Sequence, residues 1–219
     1  GQPNLLLRLR GNWLECAGNL ALPVSAGTPG ARNSRYITNA PPTITEVQHS
    51  PVLPAASEPI LVTAQVQDFD GVSSVILYYR LDPSSTYNTL AMKDDGTGGD
   101  VVAGDGIYSA TIPGQSAGTL VAFYVQATDG FSSAATDTFP NDAPIRECLV
   151  RVGEVQPTGN FPVYRLWMTQ AAQNTWTSRN TQNNTPLDVT FVQGNSRVIY
   201  NTKALYAGSV EEQSNQVER

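Results

Sequence analysis

Four aspartates and five glycines fall within the thirteen positions from Asp94 to Gly106 of the stretch MKDDGTGGDVVAGDGIYSATIP, residues 92–113. Carboxylates on a flexible loop are the ligands Ca2+ prefers, which takes about six to eight oxygens from side chains, carbonyls and water. Asp-Gly pairs are also ordinary turn chemistry, since Gly supplies a positive φ and Asp bonds to its own turn. The spacing is not that of an EF-hand loop: the alternating acidic order and the closing glutamate are missing. The sequence therefore leaves a cation site and a set of ion-free turns both open. If a cation binds, Asp94, Asp100 and Asp105 are the expected ligands, Ca2+ the expected ion, and stiffening of a long loop its expected role.

Other chemistry finds less support. His49 is the one histidine, set in the Pro-rich VQHSPVLP; a zinc site or a hydrolase triad would need partners beside it. No G-x-S-x-G elbow and no G-x-x-x-x-G-K-[ST] phosphate loop occurs. Carboxylate-pair glycoside hydrolysis needs a cleft, and loop-tip aspartates do not make one. Cys16 and Cys148 are the two cysteines. They are either buried free thiols or a single disulfide, which would tie the N-terminal segment to the end of the central region. Trp13, Trp167 and Trp176 either pin short segments to a core or stack on a ligand such as a sugar.

The elements that would position these residues are strands. Short β-forming runs recur between turn signals: TITEVQ (43–48), ILVTAQVQ (60–67), VSSVILYYRL (72–81), YNTLAMK (87–93), GIYSATIP (106–113), TLVAFYVQAT (119–128) and RECLVRVG (146–153). Val62, Ala64 and Val66 form one inward row, and Val121, Phe123 and Val125 another. The pattern predicts an all-β fold: an immunoglobulin/fibronectin III-like β-sandwich over 43–153 with short β-rich extensions at both ends. If so, the loops holding Asp68, Asp70, Asp94, Asp95, Asp100, Asp105 and Asp129 emerge at one end.

Residues 1–42 read as an extension, with NLLLRLR as a strand and APP as a linker. Residues 154–219 read as another: a strand, a short helix-like or loop stretch around 169–182, then a hairpin from LDVTFVQ and RVIYNTKALY. Stretches this short cannot bury a core alone. Leu5, Leu7, Leu9 and Trp13, with Trp167 and Trp176, are thus candidate interaction residues. Leu5, Leu7 and Leu9 form a sticky strand that would be a hazard left free.

Net charge is −6, which argues against a phosphate-backbone partner. Charged residues are 15% and hydrophobic ones 40%, enough for a core and too little charge for a disordered chain. No run approaches the length of a membrane span. The composition, rich in Thr, Ser, Asn and Gly, suits an extracellular β-protein. The opening GQPN, without Met, suggests a processed product or a fragment.

Two short stretches resemble known families. AGTPGARNS (26–34) resembles the close of lamin-tail-like domains of bacterial secreted proteins. YRLWMT, NTWTSR, PLDVTFV, GNSRVIYN and LYAGS, within 164–209, resemble the opening of the spore-coat-protein-H (CotH) kinase-like family. The resemblance implies an exported bacterial protein in which a lamin-tail-like end and an immunoglobulin-like domain precede a kinase-like domain. That family's nucleotide and metal residues lie further along than this sequence runs, so no catalytic residue carries over. Asp188 and Lys203 read as solvated surface charges. The expected function is a non-catalytic structural or interaction module, outside the cell or on its surface, assembling with copies of itself by β-strand addition. The alternatives are the non-catalytic leading part of a CotH-type enzyme, contacting neighbouring domains, and a carbohydrate- or surface-binding module.

Overall fold

The computed structural model describes residues 38–159, 161–180, 183 and 185–205, and, of the segment before them, the backbone strands Asn4–Arg10 and Trp13–Leu20. The chain divides into two compact units, Gly1–Ala40 and Pro41–Arg219. In the first, β1 (Asn4–Arg10) pairs antiparallel with β2 (Trp13–Leu20). The leucine alternation announces β1. β2 is a strand that propensity hides, because Cys16-Ala17-Gly18-Asn19 carries no β-branched or aromatic residue. The register sets Leu7 opposite Cys16, Leu9 opposite Leu14, Arg8 opposite Glu15 and Arg10 opposite Trp13; a shift follows Leu5, which lies opposite Asn19. Opposed residues share a face of the ladder, so Leu7, Leu9 and Leu14 fall together.

Among its described residues the second unit is all-β apart from one short helix. Its strands are β3 (Thr43–Ser50), β4 (Ile60–Gln67), β5 (Val72–Asp82), β6 (Asn88–Ala91), β7 (Ile107–Ile112), β8 (Leu120–Asp129), β9 (Thr136–Phe139) and β10 (Cys148–Arg151). One antiparallel sheet has the order β3-β4-β7, and a second β10-β8-β5-β6, with β9 also on β8. β10 pairs with the N-terminal half of β8 and β9 with its C-terminal half, so the two short strands share one side of it. The inward rows are those the alternation predicts. Ile60, Val62, Ala64 and Val66 of β4 pack in one core with Val121, Phe123 and Val125 of β8. Period-2 patterning works along β4 and in the second half of β8, where one face is buried and the other less so; from Leu120 to Phe123 β8 is buried on both faces.

Residues 164–204 add a third antiparallel sheet, β11-β12-β13, from β11 (Tyr164–Trp167), β12 (Leu187–Gln193) and β13 (Arg197–Ala204), with α1 (Gln170–Ser178) between the first two. Thr169 caps α1, its hydroxyl accepting from the Ala172 amide at 3.2 Å. This sheet is not a separate body. Trp167 and Val192 lie in the same core as the two central sheets, with Val198 and Tyr200 against it. The Leu149 amide donates to Thr190 Oγ1 at 3.1 Å, fixing β10 to β12. The Trp167 indole N–H donates to Glu154 Oε1 at 3.3 Å, so its polar atom is satisfied while its rings are buried. The C-terminal extension thus takes its shelter from the body, as its length demands.

A polar network holds the start of α1. Arg80 donates to Glu147 from Nε at 2.7 Å and from Nη2 at 2.5 Å, and to Asp82 Oδ1 at 2.9 Å. Tyr87 donates to Glu147 at 2.6 Å, and Asp82 Oδ2 accepts from the Gln170 amide at 2.7 Å. Burial, with the Glu147 carboxylate alongside, pushes the Tyr87 phenol up to about 12.

Candidate metal centre

The long loop between β6 and β7 folds back on the body. Its two ends are clasped by Lys93 and Ser109, which exchange backbone hydrogen bonds at 2.9 and 2.8 Å. The five glycines all sit at positive φ, from 65° to 109°. Gly99 also has no room for a side chain: a Cβ there would lie 2.3 Å from Leu61 Cδ1. The turn reading of the Asp-Gly spacing therefore holds. Asp94 accepts from the amides of Gly104 (2.6 Å), Asp105 (3.2 Å) and Gly106 (2.9 Å). Asp100 accepts from Gly96 (2.5 Å) and Val102 (3.3 Å), and Asp105 from Ile107 (2.9 Å).

Those turns also gather the three carboxylates. Asp94, Asp100 and Asp105 each place an oxygen within 4.8 Å of the other two, and together they could hold a divalent cation. Asp100 is buried, Asp94 half-buried and Asp105 exposed. An ionised carboxylate has about four acceptor sites, and the six amide bonds leave roughly half the trio's total free. Like charges this close repel, and a cation between them would relieve the cost.

The other loop aspartates share that end without joining the trio. The Gly130 amide donates to the Gly71 carbonyl and the Val66 amide to the Gly106 carbonyl, both at 2.9 Å, which brings the three loop bases together. Asp68 accepts from the Asp70 amide at 2.8 Å. Asp129 is fully buried and accepts from Phe131 and Ala135, both at 3.1 Å. Asp95 takes the Thr97 hydroxyl and amide and lies 3.5 Å from Lys93; those bonds hold its carboxyl below the usual range, the hydroxyl first.

His49 is buried and no candidate for surface chemistry. Its Nδ1 accepts from the Tyr200 hydroxyl in a short contact, and its Nε2 donates to the Val52 carbonyl at 3.2 Å. Its ring lies 6.2 Å from Trp167 and 5.8 Å from Tyr200. Desolvation lowers its pKa to about 4, against a smaller opposing effect of the Val52 bond, so the ring is neutral. Burial likewise pushes the Tyr200 phenol and the Cys148 thiol well up. Cys148 is a free thiol, and Cys16 lies outside the residues whose side chains are described. The sequence gives no sign of the His49–Tyr200 pair, since the two are 151 positions apart.

The candidate interaction residues separate. Trp167 is an anchor in the core and offers no ring face to a sugar. Trp176 packs on Met168, Val189 and Ala204, with the Arg179 guanidinium 4.6 Å above its ring. Leu5, Leu7, Leu9 and Trp13 are placed by backbone register alone, in the β1–β2 ladder. Asp188 and Lys203 sit opposite each other on β12 and β13 as an ion pair, with Arg146 Nε 3.4 Å from Asp188. No helix among the described residues is long and apolar enough to cross a membrane. No protein-family model matches the chain, and no curated protein matches it.

Proposed function

We propose that this chain is a non-catalytic structural and interaction module that works outside the cell or on its surface. It assembles with copies of itself by adding its N-terminal β-strands to the β-structure of a neighbour. The observation that carries the reading is the β1–β2 ladder: a two-stranded pair within a unit of its own, with leucines at matched positions. Such a pair is marginal in water without a further layer. The order β3-β4-β7 beside β10-β8-β5-β6, around one core, supports an immunoglobulin/fibronectin III-like body. Size-exclusion chromatography with light scattering tests the assembly. The intact chain should run as large species that disappear when residues 1–12 are deleted; a monomeric intact chain refutes it.

The carboxylate trio supports Ca2+ as the ion that stiffens the β6–β7 loop. Its three ligands come from one loop, and the amides that hold them leave oxygens free. Thermal melts in EDTA and in millimolar Ca2+ decide it, since identical midpoints exclude binding.

A second reading has one observation in its favour. The β11-β12-β13 sheet and α1 lie beyond a body that already has both its sheets, and α1 covers part of one sheet face. That suits the leading part of a CotH-type exported protein, with its chemistry in a further domain. A monomeric intact chain would favour it.

A further inference from the structure

One surface of the described unit is apolar, ordered and half covered. In the C-terminal sheet, Leu166 lies opposite Phe191 and Phe191 opposite Ile199, a row across all three strands. Tyr164 stacks on Phe191 with ring centroids 5.7 Å apart. The opposite face of the sheet carries Trp167, Thr190 and Val192 into the body, where all three are buried. On the row's own face α1 covers one end, where Met168, Val189 and Ala204 pack against Ala172 and Trp176. The other end stays open: Leu166 is 51% exposed and Tyr164 57%. A sheet with apolar residues on both faces calls for a second layer on each.

The β1–β2 ladder has the complementary need. Its register gathers Leu7, Leu9 and Leu14 on one face, and stacked sheets bury such faces against each other. Charge favours the match as well. The unit Gly1–Ala40 holds four arginines and one glutamate, net +3, while Pro41–Arg219 holds nine cations and eighteen carboxylates, net −9. Opposite net charges draw unlike units of two molecules together and keep like units apart.

We infer that the open half of the outer face of the C-terminal sheet, formed by Tyr164, Leu166, Phe191 and Ile199, receives the leucine face of the β1–β2 ladder of a second copy of this chain. The inference rests on the self-assembly reading and names its receiving surface. Every copy presents both faces, so the contact is heterologous and repeats from copy to copy.

The experiment uses full-length chains in light scattering. Leu166→Lys disables the receiving face, with Tyr164→Glu as an independent variant of it, and Leu9→Lys disables the donor face. The exposure of Leu166 and Tyr164 lets the body fold with either change. Wild type is expected to give species that grow with concentration, and each variant alone a monomer. An equimolar mixture of Leu166→Lys and Leu9→Lys should give a dimer that grows no further, because it pairs one intact donor with one intact receiver. Assembly that persists in Leu166→Lys and Tyr164→Glu overturns the inference and leaves self-assembly standing. A mixture that stays monomeric overturns it too. A monomeric wild type overturns both.

Discussion

Protonation of His49 should loosen the joint between the central sheets and the C-terminal sheet. The ring sits on β3, accepts from Tyr200 on β13 through Nδ1 and faces Trp167 on β11. A proton on Nδ1 turns that acceptor into a donor and puts a charge where no carboxylate bonds to the ring. The folded pKa is about 4 against an ordinary 6.5. Between those values the unfolded chain binds a proton that the folded chain refuses. The associated stability is therefore complete above pH 6.5, falls as pH drops toward 4, and changes no further below it. At about 1.4 kcal/mol per unit, the loss is about 3 kcal/mol. Urea unfolding at intervals from pH 7 to pH 4 measures it, with His49→Gln as reference. The Gln amide can accept from Tyr200 and donate to Val52 but does not titrate. Wild type should lose about 3 kcal/mol more than the variant over this window. Parallel stability curves for the two proteins would refute the reasoning.

Three further outcomes are expected. Trp167→Ala should cost about 3–5 kcal/mol in urea unfolding, since it empties a large volume shared by the body and the C-terminal sheet. Glu147→Ala leaves Arg80 with Asp82 as its one carboxylate partner, beside the Ser84 carbonyl, and frees the Tyr87 hydroxyl; a loss of about 3 kcal/mol is expected by the same measurement. Asp100→Asn removes one charge from the trio, so any rise in melting midpoint that Ca2+ gives wild type should shrink sharply, read by differential scanning calorimetry.

The strands were legible where one face is buried and the other is not. β4 shows this along its length and β8 beyond Phe123, with Val and Ala at every second position; from Leu120 to Phe123 β8 is buried on both faces and does not alternate. β9 was not legible, because Thr136–Phe139 is too short to alternate and becomes a strand by bonding along β8 beside the place where β10 begins. β2 was hidden for a related reason, its middle being small and polar while its pairing is set by β1. The trio of aspartates was legible because residues close in sequence were folded together by glycines that the same stretch contains. His49 and Tyr200 show the limit: nothing local marks either residue, and their bond exists only because β13 packs on the seam beside β3. The role of Trp167 lay between these cases. Its segment was visibly too short to stand alone, but which of the tryptophans would sink into the body needed the packing itself.

The insertion of Trp167 and Tyr200 among the side chains of the central sheets has a mechanical consequence. A load applied beyond Leu205 cannot peel the last sheet away while leaving the rest intact, because withdrawing those rings opens the body's own interior. Under tension the two parts should give way in a single event, so a chain of such modules would extend by the length of a whole unit at each rupture.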